Sequence, residues 1–320
     1  MREAIPDAAH ALLRRIDLDD AEAVALKGDL SARRYLRLSR AERSAILMIV
    51  PTAGREVVAR VIDRTRRLAE AGSSVPAILA ADPEAGLAVV EDFGDLHLAD
   101  RLRGGEAPAP LLSLAIEALG DVRRARTDGL ETPDAAGLVG LLDILDDWLP
   151  GADASALADL RAALTAHLDA VLVTPPVFSL RDAHAENIIW LGDRHGPAQV
   201  GLIDFQDAIA THPMYDVASL LRDARIDIAD EVVEPLLARA ARSAGLDVEE
   251  ARKAFDLLTI QRNLRIAAIF RRSAMRDGKS AHLIHLPRVR GHIARAARTP
   301  GLADLAAILR HVLPGEVTPA

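Results

Sequence analysis

The chain has 320 residues, with 39 Lys and Arg against 47 Asp and Glu, and its formal charge of −8 gives no general attraction to nucleic acid or to an anionic membrane. Cys is absent, which excludes disulfides, thiolate nucleophiles and cysteine-based zinc sites. Half the residues are hydrophobic, enough for two lobes with their own cores, although aromatics make up only 3% and the core must rest on Leu, Ile, Val and Ala.

In chain order, Met1–Arg15 has no apolar stretch of the kind a secretory signal needs, and Pro6–Ile16 reads as a short amphipathic helix. Val24–Lys27, Arg33–Leu38 and Ala45–Val50 read as three antiparallel strands, turned at Gly28–Asp29 and Ser39–Glu42. No apolar run approaches the ~20 residues that cross a bilayer, so a soluble, cytoplasmic protein is expected. Glu56–Ala71 has helical spacing up to Gly72. Ala77–Ala80 and Leu87–Glu91 form a further strand pair around Asp82-Pro83-Glu84. The fold class expected is therefore α+β, with a small strand-rich lobe over residues 1–92 and a larger, mainly helical lobe over 93–320.

Asp92-Phe93-Gly94-Asp95 is the expected hinge, and Gly104–Pro110 a loop. Helical periodicity then marks Leu111–Arg126, Ala135–Leu149, Ala154–Val173, Tyr215–Asp223, Glu231–Ala244 and Glu249–Arg272. Among these helices lie three short apolar runs, Val177–Leu180, Ile188–Leu191 and Val200–Ile203, read as small strands carrying loops. The residues after Pro314 read as a frayed tail.

Those loops hold the chemistry. Asp182 and Asn187 lie in Ser179-Leu-Arg-Asp-Ala-His-Ala-Glu-Asn187, and Asp204 opens Asp204-Phe-Gln-Asp207 after the next two apolar runs. Phosphoryl transfer needs one carboxylate to orient and deprotonate a hydroxyl, and hard oxygen donors to hold magnesium against phosphates. Asp182 fits the first role; Asn187 and Asp204 fit the second. Taken singly, Asp-x4-Asn or Asp-Phe is ordinary loop chemistry. Together, in this order and after a lobe of strands, they point to a kinase.

These residues resemble the aminoglycoside phosphotransferase and choline kinase family of protein-kinase-like enzymes. Leu180-Arg181-Asp182-Ala183-His184-Ala185-Glu186-Asn187 matches the family's His-Gly-Asp-x-His-x-x-Asn. Ile203-Asp204-Phe205 matches its Ile-Asp-aromatic step, and Pro213-Met-Tyr-Asp-Val-Ala-Ser-Leu220 a later motif. The text is most similar to the anomeric kinases of N-acetylmuramate and N-acetylglucosamine, through Gly28–Tyr35, Asp204–Ala208, Gln261–Ile266 and Arg276–Lys279. The resemblance implies a two-lobed kinase, ATP as co-substrate, Mg2+ as cofactor, and phosphorylation of the sugar C1 hydroxyl for cell-wall recycling.

On the nucleotide side, Gly28 and Ser31 are expected to cover the phosphates, and Glu91 and Phe93 to present backbone groups to adenine. The third strand carries Met48 where such kinases place a phosphate-gripping Lys, and the chain's lysines, Lys27, Lys253 and Lys279, lie elsewhere. Arg33, Arg34 or Arg37 is the expected substitute. On the acceptor side stand His184, chiefly as a shaper of the loop, with Gln261 and Arg265, the latter a candidate for a lactyl carboxylate. Asp216, opening a helix, is expected to brace the catalytic loop. A monomer is expected. Kinases of another hydroxyl compound (an aminoglycoside, choline or homoserine) and a nucleotide-binding pseudokinase remain open at this point.

Overall fold

The computed structural model describes residues 3–26, 33–51, 56–149 and 153–313. Gly28 and Ser31 lie outside these. The first part of the chain builds α1 (Asp7–Arg14), β1 (Glu22–Ala25), β2 (Arg34–Arg40), β3 (Arg43–Ile49), α2 (Glu56–Glu70), β4 (Ile78–Asp82) and β5 (Leu87–Glu91). The strands form one antiparallel sheet in the order β1-β2-β3-β5-β4.

Side-chain alternation along the strands sorts two apolar layers. Leu36, Leu38, Ala45, Leu47, Leu87 and Val89 pack with Ala9, Leu12 and Leu13 of α1. Met48, Val50 and Ala88 pack instead with Val58 and Val61 of α2. A sheet covered on both faces has no solvent side, which is why β3 reads as a continuous apolar run. Gly86 closes the β4–β5 turn at φ 72°, and a Cβ there would sit 2.6 Å from the Val50 carbonyl oxygen. Only glycine fits that approach.

The remainder is mainly helical: α3 (Leu98–Arg103), α4 (Pro108–Val122), α5 (Ala135–Gly140), α6 (Ile144–Trp148), α7 (Ala154–Val171), β6 (Val177–Ser179), β7 (Ile188–Trp190), β8 (Val200–Leu202), β9 (Ile209–Thr211), α8 (Met214–Leu221), α9 (Asp230–Ser243), α10 (Val248–Asp277), α11 (Leu286–Ala296) and α12 (Ala303–Val312). The single helix expected over Ala135–Leu149 is two. After Gly140 the N–H groups of Leu142, Asp143 and Leu145 each bond three residues back, tightening the turn and redirecting the chain. β9, three residues pairing with β6, is too short for its period to show. α11 and α12, by contrast, carry legible helical spacing at Val289, Ile293 and Ala296 and at Leu305, Leu309 and Val312.

α10, 30 residues long, runs through this part of the molecule and is buried on most of its circumference. Asp247 caps its start by accepting from Glu249 N and Glu250 N, and Gly278 ends it at φ 68°. Among the described residues no helix is long and apolar enough to cross a membrane.

Asp256 on α10 is 4% exposed and accepts a 2.6 Å hydrogen bond from the Thr299 hydroxyl. Burial raises its carboxyl to about 6, against the pull of Thr299, Arg252 and Arg222. A carboxyl raised by folding contributes fully at pH below its unfolded value of 3.8, and that contribution is lost as pH rises through about 6. The loss should be on the order of 2–3 kcal/mol. Asp256→Asn keeps an acceptor for Thr299 and removes the charge, so denaturant unfolding at pH 4.5 and pH 7.5 should give a flatter pH dependence than the parent. Parallel profiles would exclude Asp256 as the source.

Candidate active site

The β7–β8 hairpin brings the two loops together. Its register pairs Ile188 with Leu202 and Trp190 with Val200, so Asn187 and Ile203 adjoin at its open end. Ile203 N–H donates to the Asn187 carbonyl at 3.1 Å. Asn187 Nδ2 donates to the Asp182 carbonyl at 2.9 Å. That commits the amide nitrogen and leaves Oδ1 as the atom for a metal. Asp182, Asn187 and Asp204 are thus joined through a short path of backbone and amide bonds.

Asp204 and the residue before Asp182 carry unusual backbone. Arg181 has φ 73° and Asp204 φ 61°, in the left-handed region that non-glycine residues enter at a cost of roughly 1–3 kcal/mol each. Asp216, 5% exposed at the start of α8, holds the first of them. Its carboxylate accepts from Leu180 N at 2.7 Å, Arg181 N at 3.1 Å and the Ser179 hydroxyl at 2.8 Å. Burial raises the Asp216 carboxyl, and these donors pull against it. Asp223 does similar work further along, accepting from Ala185 N at 3.0 Å and Arg225 N at 2.8 Å. Glu186 in the same loop lies between Arg103 at 2.5 Å and Arg225 at 2.8 Å.

Arg262 of α10 sets the charge beside Asp182. Its guanidinium donates to the Arg181 carbonyl at 2.5 Å and to Ser219 Oγ at 2.8 Å, lies over the Tyr215 ring at 4.8 Å, and comes within 3.6 Å of Asp182 Oδ1. Burial pushes the Asp182 carboxyl up, but Arg262, His184, Arg265 and Arg181 together outweigh it and hold it below the ordinary carboxylate range. Asp182 is therefore ionised at neutral pH. Burial likewise lowers His184, against the attraction of Asp223, so its imidazole is neutral.

On the other side, Arg33 Nη2 lies 3.1 Å from Asp204 Oδ1. Gln206 Nε2 donates to Asp204 at 3.1 Å and to Asp207 at 3.2 Å, and Arg60 of α2 reaches Asp207 at 3.4 Å. Asn187 Oδ1 and the Asp204 carboxylate are hard oxygen donors of the kind that would hold magnesium, which would supply charge neutralisation at phosphates. Among the described residues no group of three His, Asp or Glu could hold a metal unaided.

Several expected positions fall elsewhere. Arg34 is exposed and pairs with Glu3, pointing away from Asp204. Arg37 is held by Asp92 at 2.7 Å and Asp95 at 2.5 Å, so it ties β2 to the segment after β5. Met48 is 3% exposed, shut into the apolar layer under α2. Gln261 is fully buried and donates to the Leu138 carbonyl at 2.7 Å, which removes it from the acceptor side. Glu91 and Phe93, expected to act through backbone groups, turn their side chains onto protein: Glu91 accepts from Ala77 N at 3.1 Å, and the Phe93 ring packs on Gly201, under the Arg194 guanidinium at 5.2 Å. Arg265 is half-buried and shares the surroundings of Asp182 with Arg181 and Tyr215. Arg262, Asp223 and Arg60 are absent from the sequence expectations. Arg262 lies inside the Gln261–Ile266 motif, but a helix buried on nearly every side gives no phase from which to select it.

The sequence profile described as the phosphotransferase enzyme family matches residues 22–255. The chain belongs to this family. Among its relatives, an N-acetylmuramate/N-acetylglucosamine kinase of Caulobacter vibrioides is 35% identical, the alignment covering 96% of each chain. A protein of the same name from Pseudomonas aeruginosa is 31% identical over 92% of this chain and 89% of the other. Solved structures share the fold at lower identity. A choline/ethanolamine kinase family protein of Mesorhizobium loti has TM-score 0.62 at 18% identity, covering 95% of this chain and 98% of its own. The aminoglycoside phosphotransferase APH(3'')-Id of Streptomyces rimosus, solved with ADP and streptomycin, has TM-score 0.55 at 17% identity, covering 83% and 99%.

In this phosphotransferase the Asp216 brace is open to test. Asp216→Ala leaves Leu180 N–H without its acceptor, takes one of two acceptors from Arg181 N–H and frees the left-handed turn there, at an expected cost of roughly 2–4 kcal/mol. Denaturant unfolding should show that loss, and turnover should fall with it. A variant with parental stability and parental turnover would show that the loop holds its shape without Asp216.

Proposed function

We propose that the protein transfers the γ-phosphate of ATP to the C1 hydroxyl of N-acetylmuramate or N-acetylglucosamine, acting in the cytoplasm on sugars recovered from the cell wall. The observation that carries the chemistry is the joining of Asp182, Asn187 and Asp204 across the β7–β8 hairpin. The acceptor rests on the names and full-length coverage of the Caulobacter and Pseudomonas relatives.

The charge around Asp182 supports that acceptor. A carboxylate held below its ordinary range is a weak base, fit to orient a hydroxyl and to take its proton only as the new O–P bond forms. A hemiacetal hydroxyl is more acidic than an ordinary alcohol, so a weak base suffices for it. Arg181, Arg262 and Arg265 also make this side electropositive. That suits a sugar bearing a carboxylate and disfavours polycationic aminoglycosides. Magnesium held by Asn187 and Asp204 would supply charge neutralisation at the phosphates. Asp182 orients the attacking oxygen, Arg262 fixes Asp182, and Asp216 and Asp223 hold the loop that carries them.

Incubation with ATP and a panel of amino sugars, aminoglycosides, choline and homoserine should yield a sugar 1-phosphate, identified by mass and phosphorus resonance. Phosphate on another acceptor, or on a hydroxyl other than C1, would refute the assignment. Asp182→Asn should lower kcat about 10²–10⁴-fold with nucleotide affinity retained. Arg265→Ala should raise KM for N-acetylmuramate about tenfold while changing that for N-acetylglucosamine little, because only the former carries the lactyl carboxylate. An equal change for both sugars would remove Arg265 from that role.

A further inference from the structure

Met48 faces the sheet layer formed with Val50, Val58, Val61 and Ala88. A lysine there would meet apolar side chains and no carboxylate. The acidic residue in the middle of α2, Asp63, is already held by Arg64, Arg66 and Arg67. What α2 offers the metal-binding loop is a cation, Arg60, on Asp207 at 3.4 Å. The arrangement of a strand lysine paired with a helix glutamate, found in protein kinases, is therefore replaced here in sign as well as in position.

The arginines at the head of β2 divide three ways. Arg34 goes to Glu3 and Arg37 to the hinge carboxylates Asp92 and Asp95. Arg33 alone of these three reaches the metal-binding loop, with its side chain 15% exposed and its Nη2 3.1 Å from Asp204 Oδ1. A carboxylate placed to meet a dication draws another cation when the dication is absent, and a guanidinium can supply it. The same planar group matches phosphate oxygens in bidentate fashion.

We propose that Arg33 grips the nucleotide phosphates in place of the strand lysine, and that its ion pair with Asp204 is a resting-state contact given up when metal and nucleotide bind. Arg60 stays on Asp207 in both states and keeps α2 fastened to the loop. This rests on the phosphotransferase reading above, and it makes Arg33 a competitor of the free metal ion and a ligand of the metal–nucleotide complex.

Those two roles have opposite signs, and binding measurements without acceptor separate them. Affinity for a magnesium complex of a non-hydrolysable ATP analogue is read by calorimetry, and affinity for free Mn2+ by electron paramagnetic resonance. Arg33→Ala should weaken the nucleotide complex about 10–100-fold and tighten free Mn2+ several-fold. Arg33→Lys, which keeps a charge and the fold, should recover part of the nucleotide affinity, and Arg34→Ala should stay within about twofold of the parent in both. Parental nucleotide affinity in Arg33→Ala, or weakened Mn2+ binding in both Arg33 variants, would overturn the proposal. A parent protein that binds no magnesium–nucleotide complex would instead overturn the phosphotransferase reading on which it stands.

Discussion

The bond from Ile203 N–H to the Asn187 carbonyl joins the end of one catalytic loop to the start of the other. With the Asn187 amide on the Asp182 carbonyl, it ties Asp182, Asn187 and Asp204 to one another before any ligand arrives. Catalysis of phosphoryl transfer is largely a matter of positioning and electrostatics, so this pre-set geometry is the main thing the fold contributes. Its cost appears as left-handed backbone at Arg181 and Asp204. Arg181 is held by Asp216, and Asp223 accepts from the backbone N–H groups of Ala185 and Arg225. Loss of these buried acceptors would strand backbone donors in a site that water cannot readily repair.

Electrostatics divides the site into two halves. Around Asp182, positive side chains hold the carboxyl below its ordinary range. Around Asp204 and Asp207, arginines from the sheet and from α2 cross to the loop and link the two parts of the molecule through ion pairs. Arg67 adds a third link from α2, donating to the carbonyls of Arg126 and Asp128. α2 is thus fastened to the helical part of the molecule by charge and by the buried Leu68, and to the sheet by apolar contact with Met48.

Much of this was legible in the sequence because it depends on local pattern. Strand and helix periods, and the spacing of Asp182, Asn187 and Asp204 about two short apolar runs, located the elements and the two loops that carry these three residues. What was not legible depends on direction. Arg33, Arg34 and Arg37 sit on or beside one strand, yet they reach Asp204, Glu3 and Asp92, and no period distinguishes them. Gln261 and Arg262 are neighbours on a helix with almost no exposed face, so composition could not tell which one turns toward Asp182. Asp223 is a lone acidic residue after a helix, with no local sign that it caps a distant loop. The break at Gly140 is the simplest failure, since a glycine in an apolar-periodic stretch marks weak helix without saying whether tertiary packing will use the weakness.

The scarcity of lysine has a chemical consequence of its own. An ε-ammonium in such a site sheds its proton as the medium turns alkaline, and its hold on phosphate fades with it. A guanidinium does not release its proton anywhere in the range where proteins stay folded. With Met48 in β3 and Arg33 and Arg60 on the acidic loop, the cations that the described residues bring to this loop keep a constant charge under alkaline conditions.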